Sequence, residues 1–179
     1  MVNREHAELQ EFIRSVPDFP KKGIVFRDIT TLLQDPVAFE RSIDAFTEHF
    51  RARSIKKVVG IESRGFIFGG ALAYRLKAGF VPVRKPKKLP FTTLREEYQL
   101  EYGTDALEIH TDAISKGENV LVVDDLIATG GTLQATCKLV ERLGGNIIGL
   151  ACLIELSFLK PRERFSGLEI FSLIRYDAE

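Results

Sequence analysis

Apolar positions along the chain change their spacing several times, and each change predicts an element. Leu9, Phe12, Ile13 and Val16 fall at i, i+3, i+4 and i+7, which predicts a short amphipathic helix ended by Pro17. A loop rich in Pro, Lys and Gly follows from Phe19 to Asp28. Asp35-Pro36 has the form of an N-cap with proline at the first helical position, and Phe39, Ile43, Phe46 and Phe50 supply the apolar stripe of the helix it starts. The pattern then becomes strand, helix, strand. Val58 to Ile61 reads as a short buried strand, Gly65 to Lys77 as a helix rich in small residues, and Phe80 to Val83 as another strand, weakened by Pro82.

Thr92 to Thr111 carries Tyr98, Leu100, Tyr102, Leu107 and Ile109, split by Gly103-Thr104-Asp105, and predicts a hairpin projecting from the body. Val120 to Val123 is an apolar strand that ends in Asp124-Asp125. Gly130-Gly131 leads into a helix striped by Leu133, Cys137, Val140 and Gly144. Ile147 to Leu156 and Ile170 to Ile174 read as the last strands. Strands and helices alternating at this length predict an α/β fold with a mostly parallel, twisted sheet flanked by helices. At 179 residues, with no internal repeat or long linker, a single domain is expected.

Charge and cysteine content narrow the class. The formal net charge is zero, so neither nucleic acid nor an anionic membrane is an expected partner, and any anion site must be local. Cys137 and Cys152 stand in apolar stretches outside any C-x-x-C pair, as expected of buried thiols in a reduced, cytoplasmic protein. The first ten residues lack the apolar core of a signal peptide, and no apolar run is long enough for a membrane span. His6, His49 and His110 have no metal-ligand spacing and are expected at the surface.

The chemistry concentrates between Val120 and Thr132. An apolar strand delivers two carboxylates, Asp124 and Asp125, to its C-terminal end, where open α/β sheets bind ligands. The following turn offers Thr129, Gly130, Gly131 and Thr132 just before a helix. Glycines let backbone N–H groups converge, and a helix N-terminus adds positive potential. A phosphate cradle beside a carboxylate pair suits a phosphorylated sugar, the acids taking its vicinal hydroxyls. The segment is neither a Walker loop, which needs Lys-Ser/Thr after its second glycine, nor a G-x-G-x-x-G turn.

This segment resembles the PRPP-binding motif of the type I phosphoribosyltransferases. Glu62-Ser63-Arg64-Gly65-Phe66, the Phe19-Pro20 to Phe26-Arg27-Asp28 loop, Arg84-Lys85 with Lys88-Leu89-Pro90, and Leu100-Glu101-Tyr102-Gly103 narrow the resemblance to the adenine phosphoribosyltransferases, from about Ile13 to Ser172. The resemblance implies transfer of a phosphoribosyl group from PRPP to adenine, giving AMP and pyrophosphate. It also implies a small hood formed by about residues 1–35 and the C-terminal segment, a flexible hairpin, Mg²⁺ bound mainly through PRPP, and a homodimer.

The implied roles fall residue by residue. Ala128, Thr129, Gly130, Gly131 and Thr132 would hold the 5′-phosphate, and Asp124 and Asp125 would face the ribose hydroxyls. Ser63, Arg64, Arg84, Lys85 and Lys88 would take pyrophosphate, Arg84 and Lys85 partly across a dimer interface. Phe26 and Leu156 would sandwich adenine while the backbone of Val25 and Arg27 reads its edge. Glu101 would act on the purine imidazole ring as acid and base. Two positions depart from the family pattern: Lys22 stands where a proline is common and Phe91 where a small residue is. Two rival functions keep the fold, a transferase for another base and a PRPP- or nucleotide-sensing regulator. A receiver-like phosphoacceptor fits less well, since that fold has no glycine cradle after its acids.

Overall fold

The computed structural model describes residues 4–100 and 103–178. Five parallel strands form the main sheet: β3 (Lys57–Ile61), β4 (Gly79–Val83), β7 (Asn119–Ile127), β8 (Asn146–Leu156) and β9 (Ile170–Tyr176), in the order β4-β3-β7-β8-β9. The period-two alternation of β7 explains the layers on either side. Leu121 and Val123 join the core formed with α2 (Pro36–Phe50) and α3 (Gly65–Leu76), while Val120 and Val122 join the core formed with α4 (Gly131–Arg142). Both faces of the central strands are therefore covered, as expected for parallel strands with continuous apolar runs. Pro82 is tolerated because β4 lies at the sheet edge, where a missing donor costs no central ladder bond.

The helix signals have direct structural counterparts. The Asp35 carboxylate accepts hydrogen bonds from the backbone N–H groups of Val37 (3.0 Å) and Ala38 (2.8 Å), satisfying two donors that α2 leaves free. Ile43, Phe46 and Phe50 are buried along that helix. Leu133, Cys137 and Val140 do the same for α4, and Gly144 turns the chain beyond it with φ +83°.

Three expectations are corrected. The N-terminal stripe is not one α-helix through Val16. A 3₁₀ helix covers Arg4–Phe12, and the chain then becomes β1 (Arg14–Val16). Non-local pairing overrides the local period here: β1 runs antiparallel to β2 (Phe26–Asp28), so the expected loop ends in a strand. A short helix, α1 (Thr30–Gln34), also precedes α2.

Second, the hairpin of β5 (Thr93–Leu100) and β6 (Gly103–His110) does not stand clear of the body. Leu107 and Ile109 are fully buried in the α4-side core. Its ladder continues to Leu100 opposite Gly103, so Asp105 lies within β6, opposite Tyr98, rather than in the turn. Third, His49 is not a free surface group: it stacks on Phe171 and pairs with Glu169 at 2.8 Å.

Both cysteines are free and buried, and burial pushes the Cys137 thiol up to about 12, which makes it a poor nucleophile. No helix among the described residues is long and apolar enough to cross a membrane.

Candidate functional site

The sheet order places a crevice between β3 and β7. From β3 the chain continues to β4 on one side, while β8 and β9 extend the sheet on the other side of β7. The segments leaving β3 and β7 therefore part, and open sheets bind ligands at such a switch point. Asp124 and Asp125 lie near the C-terminal end of β7, and Ser63 and Arg64 lie between β3 and α3. Arg64 Nε stands 2.8 Å from Asp125 Oδ2 across the crevice. That contact is an ion pair without the alignment of a hydrogen bond. Close approach is needed here: a Cβ at Gly65 would stand 2.9 Å from Asp124 Oδ1, so only glycine lets α3 begin so near β7.

Both acids are more than nine-tenths buried. Burial pushes the Asp124 carboxyl well above its ordinary range, and the neighbouring Asp125 charge adds to the rise. Burial also raises Asp125, against the pull of Arg64. The Asp125 N–H donates to Asp124 Oδ1 at 2.9 Å, which fixes one acid against the backbone of the next. Buried, oriented acceptors of this kind match a pair of neighbouring hydroxyls.

A cavity of about 200 Å³ opens beside them, lined by Asp124, Ala128, Thr129, Gly130, Gly131 and Thr132. Gly130 adopts φ +86° immediately before α4, a conformation that a side chain would strain. The twelve-residue helix beyond it aims its unpaired N–H groups at the turn. A second cavity of about 410 Å³ continues from it, with Ser63, Arg64, Lys85, Tyr98, Asp124 and Asp125 in its wall. Asp124 and Thr132 line both, so the two spaces adjoin.

Lys85 is held in that wall by the hairpin. Its ammonium donates to Tyr98 Oη at 2.9 Å and pairs with Asp105. Burial works to lower its pKa, but the bonds to Asp105 and Tyr98 outweigh it and keep the cation charged. The other expected anion ligands lie apart from this wall. Arg84 pairs with Glu62 and donates to the Lys88 carbonyl at 3.2 Å, and the Lys88 side chain is exposed.

The N-terminal ribbon sits over the C-terminal ends of the strands. Val25, Phe26 and Arg27 are half-buried. The Arg27 guanidinium lies 3.9 Å from the centre of the Tyr176 ring, Leu156 pairs with Tyr176 across β8 and β9, and the Arg64 guanidinium approaches the Phe26 ring at 5.3 Å. Phe26, Arg27, Arg64 and Leu156 thus gather at one end of the sheet. Glu101 lies outside the described residues.

Several polar residues at the site escape sequence reasoning. Tyr98 and Asp105 meet Lys85 only because β5 and β6 pair in this register, centred between Leu100 and Gly103, which sets the two residues opposite each other. Glu62 adjoins Ser63-Arg64 in sequence but shows its partner, Arg84, only in three dimensions. Glu155, completely buried before Leu156, carries no signal beyond being an acid inside an apolar strand.

The description "phosphoribosyl transferase domain" belongs to the family model that matches residues 28–176. Adenine phosphoribosyltransferase of Acidobacterium capsulatum is 62% identical over 168 residues, covering 94% of this chain and 93% of the relative. That of Thermotoga maritima is 57% identical over 169 residues, covering 94% and 98%. Among solved structures, the Thermoanaerobacter pseudethanolicus adenine phosphoribosyltransferase superposes with a TM-score of 0.91 at 53% identity, covering 94% of this chain and 98% of that one. The Saccharomyces cerevisiae enzyme, solved with adenine and an imino-altritol bisphosphate, gives 0.89 at 43% identity, covering 94% and 98%. With the crevice at the β3–β7 switch point and these likenesses over nearly its whole length, the chain belongs to the adenine phosphoribosyltransferases.

Proposed function

We propose that the two adjoining cavities seat PRPP and that the chain transfers its phosphoribosyl group to adenine, giving AMP and pyrophosphate. One observation carries this reading: a glycine turn at a helix N-terminus, a buried acid pair and an arginine share one crevice. The turn from Ala128 to Thr132 holds the 5′-phosphate through backbone N–H groups and threonine hydroxyls. Asp124 and Asp125 accept hydrogen bonds from the ribose hydroxyls. Ser63, Arg64 and Lys85 face the pyrophosphate, with Arg84 and Lys88 beyond the cavity wall, and guanidinium and ammonium groups stabilise its charge as it leaves. Phe26 and Leu156 enclose the base, and the backbone of Val25 and Arg27 reads its edge.

The bond from C1′ to pyrophosphate oxygen breaks, the bond from adenine N9 to C1′ forms, and the sugar passes through an oxocarbenium-like state. The imidazole ring of the purine loses a proton, and Glu101 takes it. Most of the acceleration comes from orientation and fixed charge, since no covalent nucleophile is required.

Magnesium fits this site through its ligand. The ion keeps water and phosphate oxygens rather than a full protein cage. Among the described residues no three potential ligands gather into a metal cluster, and the donor's own oxygens would hold the ion, beside the Asp124–Asp125 pair that would take the ribose hydroxyls. When bound, it supplies positive charge to the departing pyrophosphate. The side of the pyrophosphate site at Arg84 and Lys88 is completed, in this reading, by a second copy of the chain, and sedimentation of a fully active monomer would overturn that part.

Steady-state assays with PRPP and adenine, hypoxanthine, guanine, xanthine or orotate test the function. Turnover with adenine alone is expected. Turnover of another base in its place would reassign the enzyme, and PRPP binding without turnover of any base would favour a nucleotide-sensing protein.

A further inference from the structure

Glu155 is completely buried near the C-terminal end of β8, yet it is charged. Burial raises its pKa, but hydrogen bonds from Arg162 and Ser172 outweigh that and hold it below the ordinary carboxylate value. Arg162 grips it with two donors, Nε and Nη2, each at 2.7 Å, and Arg175 stands 3.7 Å away. An apolar pair of the same volume would stabilise a core about as well as such an ion pair. What the planar fork adds is direction.

Arg162 is aimed at Glu155 from the 3₁₀ turn Pro161–Arg164, and that turn leads straight to the glycine cradle. The Arg162 carbonyl accepts the Phe165 N–H at 3.1 Å. The buried Phe165 ring lies against Gly130: a Cβ on Gly130 would stand 2.9 Å from Phe165 Cε2 and 3.4 Å from Arg164 Cδ. Arg164 Nη1 also reaches Gln134 Oε1, in the first turns of α4, at 3.5 Å. Gly130 itself has the freedom of a glycine at φ +86° and needs a wall to hold it in one conformation.

We infer that Glu155 and Arg162 are positioning residues for phosphate binding, acting through Phe165 on the Gly130 turn. The inference rests on the proposed role of this turn as the 5′-phosphate site. The Glu155 carboxylate aims Arg162, Arg162 places the segment carrying Phe165, and the ring fixes the turn whose N–H groups face the cavity. None of the three side chains lines the cavity, so their effect on binding is indirect.

Calorimetry with ribose 5-phosphate and with pyrophosphate, joined to steady-state kinetics, tests this on the full chain. Arg162→Gln and Phe165→Leu should each weaken ribose 5-phosphate by about tenfold or more, as displacement of a binding group does. Pyrophosphate, which meets Arg64 and Lys85 instead, should bind as in the parent. KM for PRPP should rise while kcat at saturation changes little, and Arg162→Lys, which keeps the charge and loses the fork, should fall between parent and Arg162→Gln. Variants that lose thermal stability while the folded protein binds ribose 5-phosphate as the parent does would overturn the inference. If Arg162→Gln does not fold, Phe165→Leu decides alone by the same criterion. A parent that binds no ribose 5-phosphate would instead sink the phosphate reading of the turn, and this inference with it.

Discussion

The turn after β7 and the hairpin of β5 and β6 face the same cavity and are built in opposite ways. The turn is short, sits at the end of a central strand and is backed by the buried Phe165. The hairpin is rooted by Leu107 and Ile109, and ion pairs tie it to the body as well. Glu96, opposite Leu107, takes Lys138 and Arg142, each at 3.1 Å, and Asp105, nearer the tip, takes Lys85. Half-exposed pairs of that kind are worth little individually. One wall of the site is therefore set by packing alone, and the other by packing at its root together with contacts that can be exchanged. A preformed cradle suits a group that does not change during the reaction, the 5′-phosphate. An exchangeable arm suits the step that must exclude water and move a proton.

The largest effect expected from this contrast lies on the arm. Glu101→Gln keeps the side chain's size and removes the proposed base, so kcat should fall by about 100-fold or more, the usual scale for such groups. PRPP affinity should barely change. Glu97→Gln on the same arm is the control and should behave as the parent does. Equal turnover by both variants would remove Glu101 from the chemistry and leave the cradle untouched.

A smaller effect is expected at the preformed wall. Gly130→Ala forces a side chain into a left-handed conformation at about 1–2 kcal/mol and drives it against Phe165. It should lower Tm by several degrees, at roughly 2–4 °C per kcal/mol for a chain of this size, and weaken AMP and PRPP together. Gly131→Ala meets only ordinary contacts, 3.5 Å from the Gln99 carbonyl and 3.6 Å from the Tyr98 ring. It should spare stability. Equal Tm losses in the two variants would mean that the cradle is no more constrained than its neighbour.

The smallest effect concerns the acid pair. The Asp124 carboxyl has a folded-state pKa well above its ordinary 3.8, so the folded chain holds that proton more tightly than the unfolded one. Stability from this group accordingly falls as pH rises from about 4 toward the raised value, and the deficit is complete above it. Asp124→Asn removes the buried charge. Melting curves should show the variant with the higher Tm at neutral pH, and the advantage should vanish in acid, while AMP binds more weakly. A variant no more stable than the parent at neutral pH would show that the fold does not bear the acid's burial as a cost.

Legibility follows the same division. The stretch from Val120 to Thr132 is readable directly because strand, acids, glycines and helix start are contiguous, and each residue's role depends mostly on its neighbours. Asp35-Pro36 is legible for the same reason, since a cap acts within one turn. The path from Val16 to Phe26 is not. Its backbone chooses β1 and β2 because each satisfies the other across an intervening loop, and no local period reports that. The cations divide likewise: Arg64 and Lys85 reach the cavity, whereas Arg84 is turned aside by Glu62, a partner far from it in sequence. Glu155 is invisible because a lone acid in an apolar run gains meaning only from Arg162 and Ser172 folding back upon it.

The stacking of Arg27 on Tyr176 bears on how such a molecule is made. β2 is synthesised well before β9, the strand that carries the ring receiving it. Contacts that close so long a loop form late. The strand pairs β3–β4 and β7–β8 have local crossovers and can assemble as they appear, while Phe26 and Arg27 wait for β9. The pocket proposed for the base is thus the part of the site completed last. A nascent or C-terminally shortened chain would retain the glycine turn without the contacts proposed to enclose the base.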